Sequence, residues 1–105
     1  MKGDTLAALR RLAKRKCKIT WKDNDTEERI TEIVENAVPA LCQILGMSDE
    51  APEVFLIPGM KKTLFENYCM YDWNDMLDEF QGNYKKEIIA ERHKNEVENA
   101  KKKTE

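Results

Sequence analysis

Between Leu64 and Arg92 the apolar and aromatic residues Leu64, Phe65, Tyr68, Trp73, Leu77, Phe80, Tyr84 and Ile88 recur at steps of roughly three to five. That period stacks side chains on one face of a helix, whereas a strand would need alternation every second residue. The rest of the chain agrees. β-Branched residues form no sustained period-two run, and only three Pro and four Gly interrupt 105 residues. The pattern predicts an all-α fold, a small bundle of about four helices, with the stripe as an internal packing surface. Asn67, Asn74 and Asn83 lie beside these aromatics, and a buried amide must find partners, so they are expected to fix helix register or cap neighbouring turns.

A chain of this length is expected to form one domain that buries roughly two-thirds of its unfolded surface. Charged residues make up 36% of it, above the ~25% usual for soluble domains, which suits amphipathic helices with solvated outer faces. Cys17, Cys42 and Cys69 are odd in number and lack zinc-ligand spacing, and His93 is the single histidine. Reduced thiols in a cytosolic setting are the expectation. No apolar run approaches the ~20 residues of a membrane span, and the amino terminus lacks the apolar core of a secretory signal. There are no paired histidines, no Ser-His-Asp set and no glycine-rich phosphate loop, so neither enzymatic chemistry nor a cofactor or metal is expected. Asp72, Asp75, Asp78 and Glu79 would hold a cation only if they converged, and their spacing reads as a solvated face.

Charge is segregated along the chain. Residues 1–22 hold eight basic residues and one acid, and residues 23–56 hold nine acids and Arg29. The first block reads as a basic amphipathic helix over 1–18, capped by Asp4 or Thr5. It offers phosphate contacts but no recognised DNA-reading motif, so a solvated face or an acidic neighbour explains it better. The second reads as a helix over 25–46, capped by Asp25 or Thr26, with Ile30, Ile33, Val34, Ala37, Leu41, Ile44 and Leu45 as its stripe. Pro39 removes a backbone donor and predicts a kink near 35–39, and Gly46 stops the helix. Residues 47–58 read as a long loop whose tetrad Val54, Phe55, Leu56 and Ile57 either tucks over the core or is offered to a partner as an added strand. From 59 to 92 the chain forms one long helix or two meeting near Asp72–Asn74, and 93–105 is expected to be a frayed helical tail.

The stretch KITWKDNDTEERITEIVENAVPALCQILG, with Ile19, Trp21, Asp25, Ile30, Ile33, Ala37, Pro39, Leu45 and Gly46, is followed by Pro58–Gly59 before a helix. Then comes LFENYCMYDWNDMLDEFQGNYKKEI, with Asn67, Tyr68, Tyr71, Asn74, Phe80, Asn83 and Tyr84. In this order and spacing the chain resembles the small head–tail connector, or DNA-packaging adaptor, proteins of long-tailed bacteriophages and prophages of Gram-positive hosts. The likeness spans most of its length.

The resemblance implies a helical subunit that forms a ring of about twelve copies at the head–tail junction of the virion, after assembly in the host cytoplasm. Its partners would be the portal protein and a tail-completion or stopper protein, with DNA passing through unread and no membrane involved. A ring contact is head-to-tail, which gives the charge segregation a role: Arg10, Arg11, Lys14 or Arg15 of one copy would face Glu27, Glu28, Glu32 or Glu35 of the next. The rival use of those acids is a channel lining that repels DNA. The 47–58 loop and the 93–105 tail are the expected contacts to the portal or the tail-joining protein. A small dimeric DNA-binding regulator or antitoxin, using the basic helix, is the alternative; a coiled-coil adaptor would need sustained heptads that the chain lacks.

Overall fold

The computed structural model describes the backbone of residues 1–48 and 51–104 and the side chains through Lys101, apart from Asp49 and Glu50. Five helices account for most of it: α1 (Gly3–Lys16), α2 (Asn24–Ile44), α3 (Met60–Trp73), a single turn α4 (Phe80–Asn83) and α5 (Lys85–Thr104). Short 3-10 turns at Pro52–Leu56 and Leu77–Glu79 precede α3 and α4. Helices α1, α2 and α3 pack on one another around Leu9, Ala13, Ile30, Val34, Leu41, Leu64 and Phe65, all fully buried. Each such large aliphatic or aromatic side chain contributes about 1.5–3 kcal/mol by leaving water.

Three helices end by the same device. After α1, α2 and α3 one residue turns left-handed, Lys18 (φ 60°), Gly46 (φ 66°) and Asp75 (φ 57°), and the next amide reaches back to an orphan carbonyl. Ile19 N–H donates to Lys14 O, Met47 N–H to Cys42 O and Met76 N–H to Tyr71 O, at 2.8–2.9 Å. These are Schellman closures. Gly46 ends α2 as its sequence predicts. The expected caps shift, however: Asp23 rather than Asp25 or Thr26 caps α2, accepting from Thr26 N–H at 2.8 Å. No side chain caps α1, which begins at Gly3 ahead of Asp4 and Thr5. Helix α2 runs through Pro39, which lies on the exposed side, where the carbonyl of Glu35 can take its hydrogen bond from water.

The expected 47–58 loop is largely structured. Pro52–Leu56 forms a 3-10 turn that drives Phe55 into the core at 0% exposure, its ring stacked on Phe65 with centroids 5.4 Å apart. The tetrad therefore tucks inward: Phe55 is no partner contact, Val54 and Leu56 are half-buried, and Ile57 alone is left largely exposed, at 61%. Met47 and Ser48 precede this turn, and the intervening Asp49 and Glu50 lie outside the described residues.

The stretch 59–92 is broken, as one of its two readings expects, but at Asn74–Met76 and again near Tyr84. Asn74 sits at the carboxyl end of α3 and donates to Met70 O at 2.8 Å. Asn67 is buried and donates to Thr63 O, and Asn83 donates to the Tyr71 hydroxyl. Tyr68, Tyr71, Phe80 and Tyr84 form one aromatic cluster with centroids 5.1–5.8 Å apart, worth about 0.5–1.5 kcal/mol per pair beyond burial.

The expected frayed helical tail is helical, as read, but at Asn95 and Asn99 it is held to the body. Helix α5 continues through Thr104, and polar side chains hold it to the body. Asn95 is buried and donates to Leu45 O at 2.7 Å, and Asn99 reaches Gly46 O at 3.4 Å, so α5 satisfies carbonyls at the end of α2. Glu91, 4% exposed, pairs with Lys61 at 2.9 Å and Lys94 at 3.4 Å. Glu105 lies outside the described residues.

Candidate functional site

The sequence singles out the charged face of α1 and α2, and the fold places these two helices side by side. Glu27 lies in the first turn of α2, four residues after the Asp23 cap, and accepts hydrogen bonds from both Arg10 and Lys14 of α1 in the same chain. The hydrogen bond from Lys14 holds the Glu27 carboxyl below the usual glutamate range, against a smaller opposing effect of desolvation. Arg10, Lys14 and Glu27 are thus engaged within one subunit and do not stand free for a neighbour. This corrects part of the expected contact between copies.

The remaining members of the set face outward. Arg11 and Arg15 on α1, and Glu28, Glu32 and Glu35 on α2, are exposed and enter no ion pair among the described residues. Glu28, Glu32 and Glu35 are spaced by four and three, which aligns them in one acidic ridge. Arg10, Arg11 and Lys14 of α1 and Lys22 of the following linker line a hollow of about 350 Å³ together with Ala7 and Glu27. Next to Lys22 in the chain, Trp21 is half exposed, and its indole N–H donates to Thr26 Oγ1 at 3.0 Å.

Other sequence candidates have structural roles. Arg29, read only as an isolated base in an acidic block, lies over the Trp73 ring at 4.3 Å, donates to Trp73 O at 2.6 Å and faces Asp75 at 3.6 Å. It thereby ties α2 to the end of α3. Asp75 meets this one cation, and no three or more His, Cys, Asp or Glu groups converge among the described residues. Burial pushes the Cys17 thiol up to about 11 and Cys69 well above the normal range, so both stay protonated at neutral pH. No described helix is long and apolar enough to cross a membrane.

Hydrophobic periodicity misses the seam of α5, because the residues that continue the spacing after Ile88 are Glu91, Asn95 and Asn99. Their three- and four-residue steps are the available signal, carried by polar side chains. At the surface, Ile57 stands on the corner before α3, Met60 at its first residue, and Ile89 and Val97 on the outer side of α5. No family model, curated protein or solved structure matches the chain.

Proposed function

We propose that the protein is a non-enzymatic structural subunit, a head–tail connector that assembles head to tail into a ring at a phage portal vertex and admits DNA through its centre. The observation that carries this reading is the pair of exposed ridges without ion-pair partners among the described residues, basic Arg11 and Arg15 on α1 and acidic Glu28, Glu32 and Glu35 on α2. A cyclic contact joins two different surfaces of one subunit, and opposed charges set its register and speed encounter. The resemblance supplies the partners: portal protein on one side and a tail-completion or stopper protein on the other. Ile57 and Met60, together with Ile89 and Val97, are the exposed apolar positions suited to those contacts.

Native mass spectrometry over a concentration series at two salt levels, with and without portal rings, tests this. A closed assembly of about a dozen copies, weakened by salt and by Arg15→Glu and restored when that variant is mixed with Glu32→Arg, supports it. A salt-insensitive dimer would overturn it in favour of the regulator reading.

A further inference from the structure

We propose that the hollow between α1 and the start of α2 binds a phosphate group. Its wall holds four cations, Arg10, Arg11, Lys14 and Lys22, and one carboxylate, Glu27. Glu27 draws on Arg10 and Lys14 and so holds both in place, while leaving a surplus of positive charge around the opening. Arg10 has a specific unmet need: its Nε is buried and has no hydrogen-bond partner. A buried donor without an acceptor is unfavourable, and an entering anion would meet the rest of the Arg10 guanidinium, whose side chain is 29% exposed.

The geometry favours phosphate over a single carboxylate. Donors come from two segments, α1 and the 17–23 linker, and a phosphate presents several oxygens in diverging directions. The linker is fixed at both ends, by the Ile19 N–H to Lys14 O closure and by the Asp23 cap, so Lys22 is carried on an anchored segment. The hollow shares Arg11 with the proposed ring contact but takes Lys22, which plays no part in that contact, so Lys22→Gln separates the two.

Two sources carry this chemistry, a nucleic-acid backbone and a free phosphate, and one titration separates them. Amide chemical shifts of the ¹⁵N-labelled full chain are followed at low salt with pyrophosphate and with a short mixed-sequence DNA duplex at equal phosphate concentration. Changes centred on Ala7, Arg10, Arg11, Lys14 and Lys22 are expected, with about fivefold to tenfold weaker binding in Lys22→Gln and Arg11→Gln and none in the distant Lys86→Gln. Much tighter binding of the duplex, with affinity falling at a log–log salt slope of roughly −2 to −3 for two or three phosphates, assigns a nucleic-acid backbone. Equal binding of the two assigns a free phosphate. No shift changes, changes spread evenly over Lys61, Lys85 and Lys94, or an unaltered Lys22→Gln with a native spectrum would each overturn the site.

Discussion

Asp75 terminates α3 in a conformation that L-residues rarely adopt, and Asp75→Gly should therefore stabilise the protein. Left-handed backbone costs an L-residue roughly 1–2 kcal/mol, with aspartate at the low end because its short side chain tolerates the region. Glycine removes that strain but loses about 0.5–1 kcal/mol of chain entropy on folding. Two electrostatic changes accompany the swap. A negative charge leaves the carboxyl end of α3, a gain of about 0.3–1 kcal/mol, and the 3.6 Å contact with Arg29 is lost. Asp75 is almost fully exposed, so that contact is worth a few tenths of a kcal/mol. The sum runs from about zero to 1 kcal/mol and centres on a gain of about 0.5 kcal/mol, which for a domain of this size raises Tm by roughly 2–4 °C. Thermal and urea unfolding followed by circular dichroism measure it. Gly46→Ala is the mirror experiment: φ is 66° and a Cβ would lie 3.2 Å from Arg92 Cγ, so stability should fall by about 1–2 kcal/mol. A Tm below the parent's for Asp75→Gly, or an unchanged one for Gly46→Ala, would refute the account of how these helices stop.

Phe55→Ala should cost about 3–5 kcal/mol in urea unfolding, since the ring is fully buried against Phe65; a loss below 1 kcal/mol would place Phe55 outside the core. Asn95→Ala removes the buried amide from Leu45 O and should cost about 1–3 kcal/mol, with faster amide exchange in α5, whereas exposed Glu98→Ala should leave both unchanged. Acid should destabilise through Glu27 and Glu91. Lys14 lowers Glu27, and at Glu91 burial acts upward but is outweighed by Lys61 and Lys94, so both carboxyls lie below their ordinary values. Their contribution is full above the unfolded glutamate pKa of about 4.3 and lost as pH falls through the lower folded values. Tm measured from pH 7 downward should decline more gently in Glu27→Gln and Glu91→Gln than in the parent; parallel curves would rule those pairs out. Asp72, pushed up by burial, acts in the opposite direction.

The sequence carries the helical period of α2 and α3 plainly, because their buried faces are made of apolar side chains. Less legible are the places where polar atoms perform the packing. The inner face of α5 is Glu91, Asn95 and Asn99, whose worth depends on carbonyls at the end of α2 and on Lys61, groups that periodicity does not connect to them. The expected helix end at residue 18 and the break near Asp72–Asn74 lie beside the observed ends, but the left-handed turns that make them, at Lys18 and Asp75, carry no glycine like the one that marks Gly46. The 47–58 stretch looked open because Pro52 and Pro58 bracket a short apolar run, and only the facing Phe65 makes the inward position of Phe55 decisive. At the candidate site, the segregation of charge was visible, but its division between Glu27 and the outer acids required the α1–α2 packing.

That division gives the charges two separate tasks. Glu27 faces two cations across a partly buried helix pair, where salt screens weakly, and it holds α1 on α2. Arg15 and Glu32 are exposed, so they add little to the fold and are strongly screened, which suits a contact that forms only when subunits meet. A helix carrying basic residues on both its inner and outer sides can in this way use the inner ones to fix its own position and present the outer ones in a fixed order. On the proposed assembly, removing Glu27 is expected to act by displacing α1, whereas removing Glu32 is expected to act while leaving the subunit intact. Hence Arg15 and Glu32, rather than the better-formed Arg10–Glu27 pair, are the residues through which the assembly reading is best tested.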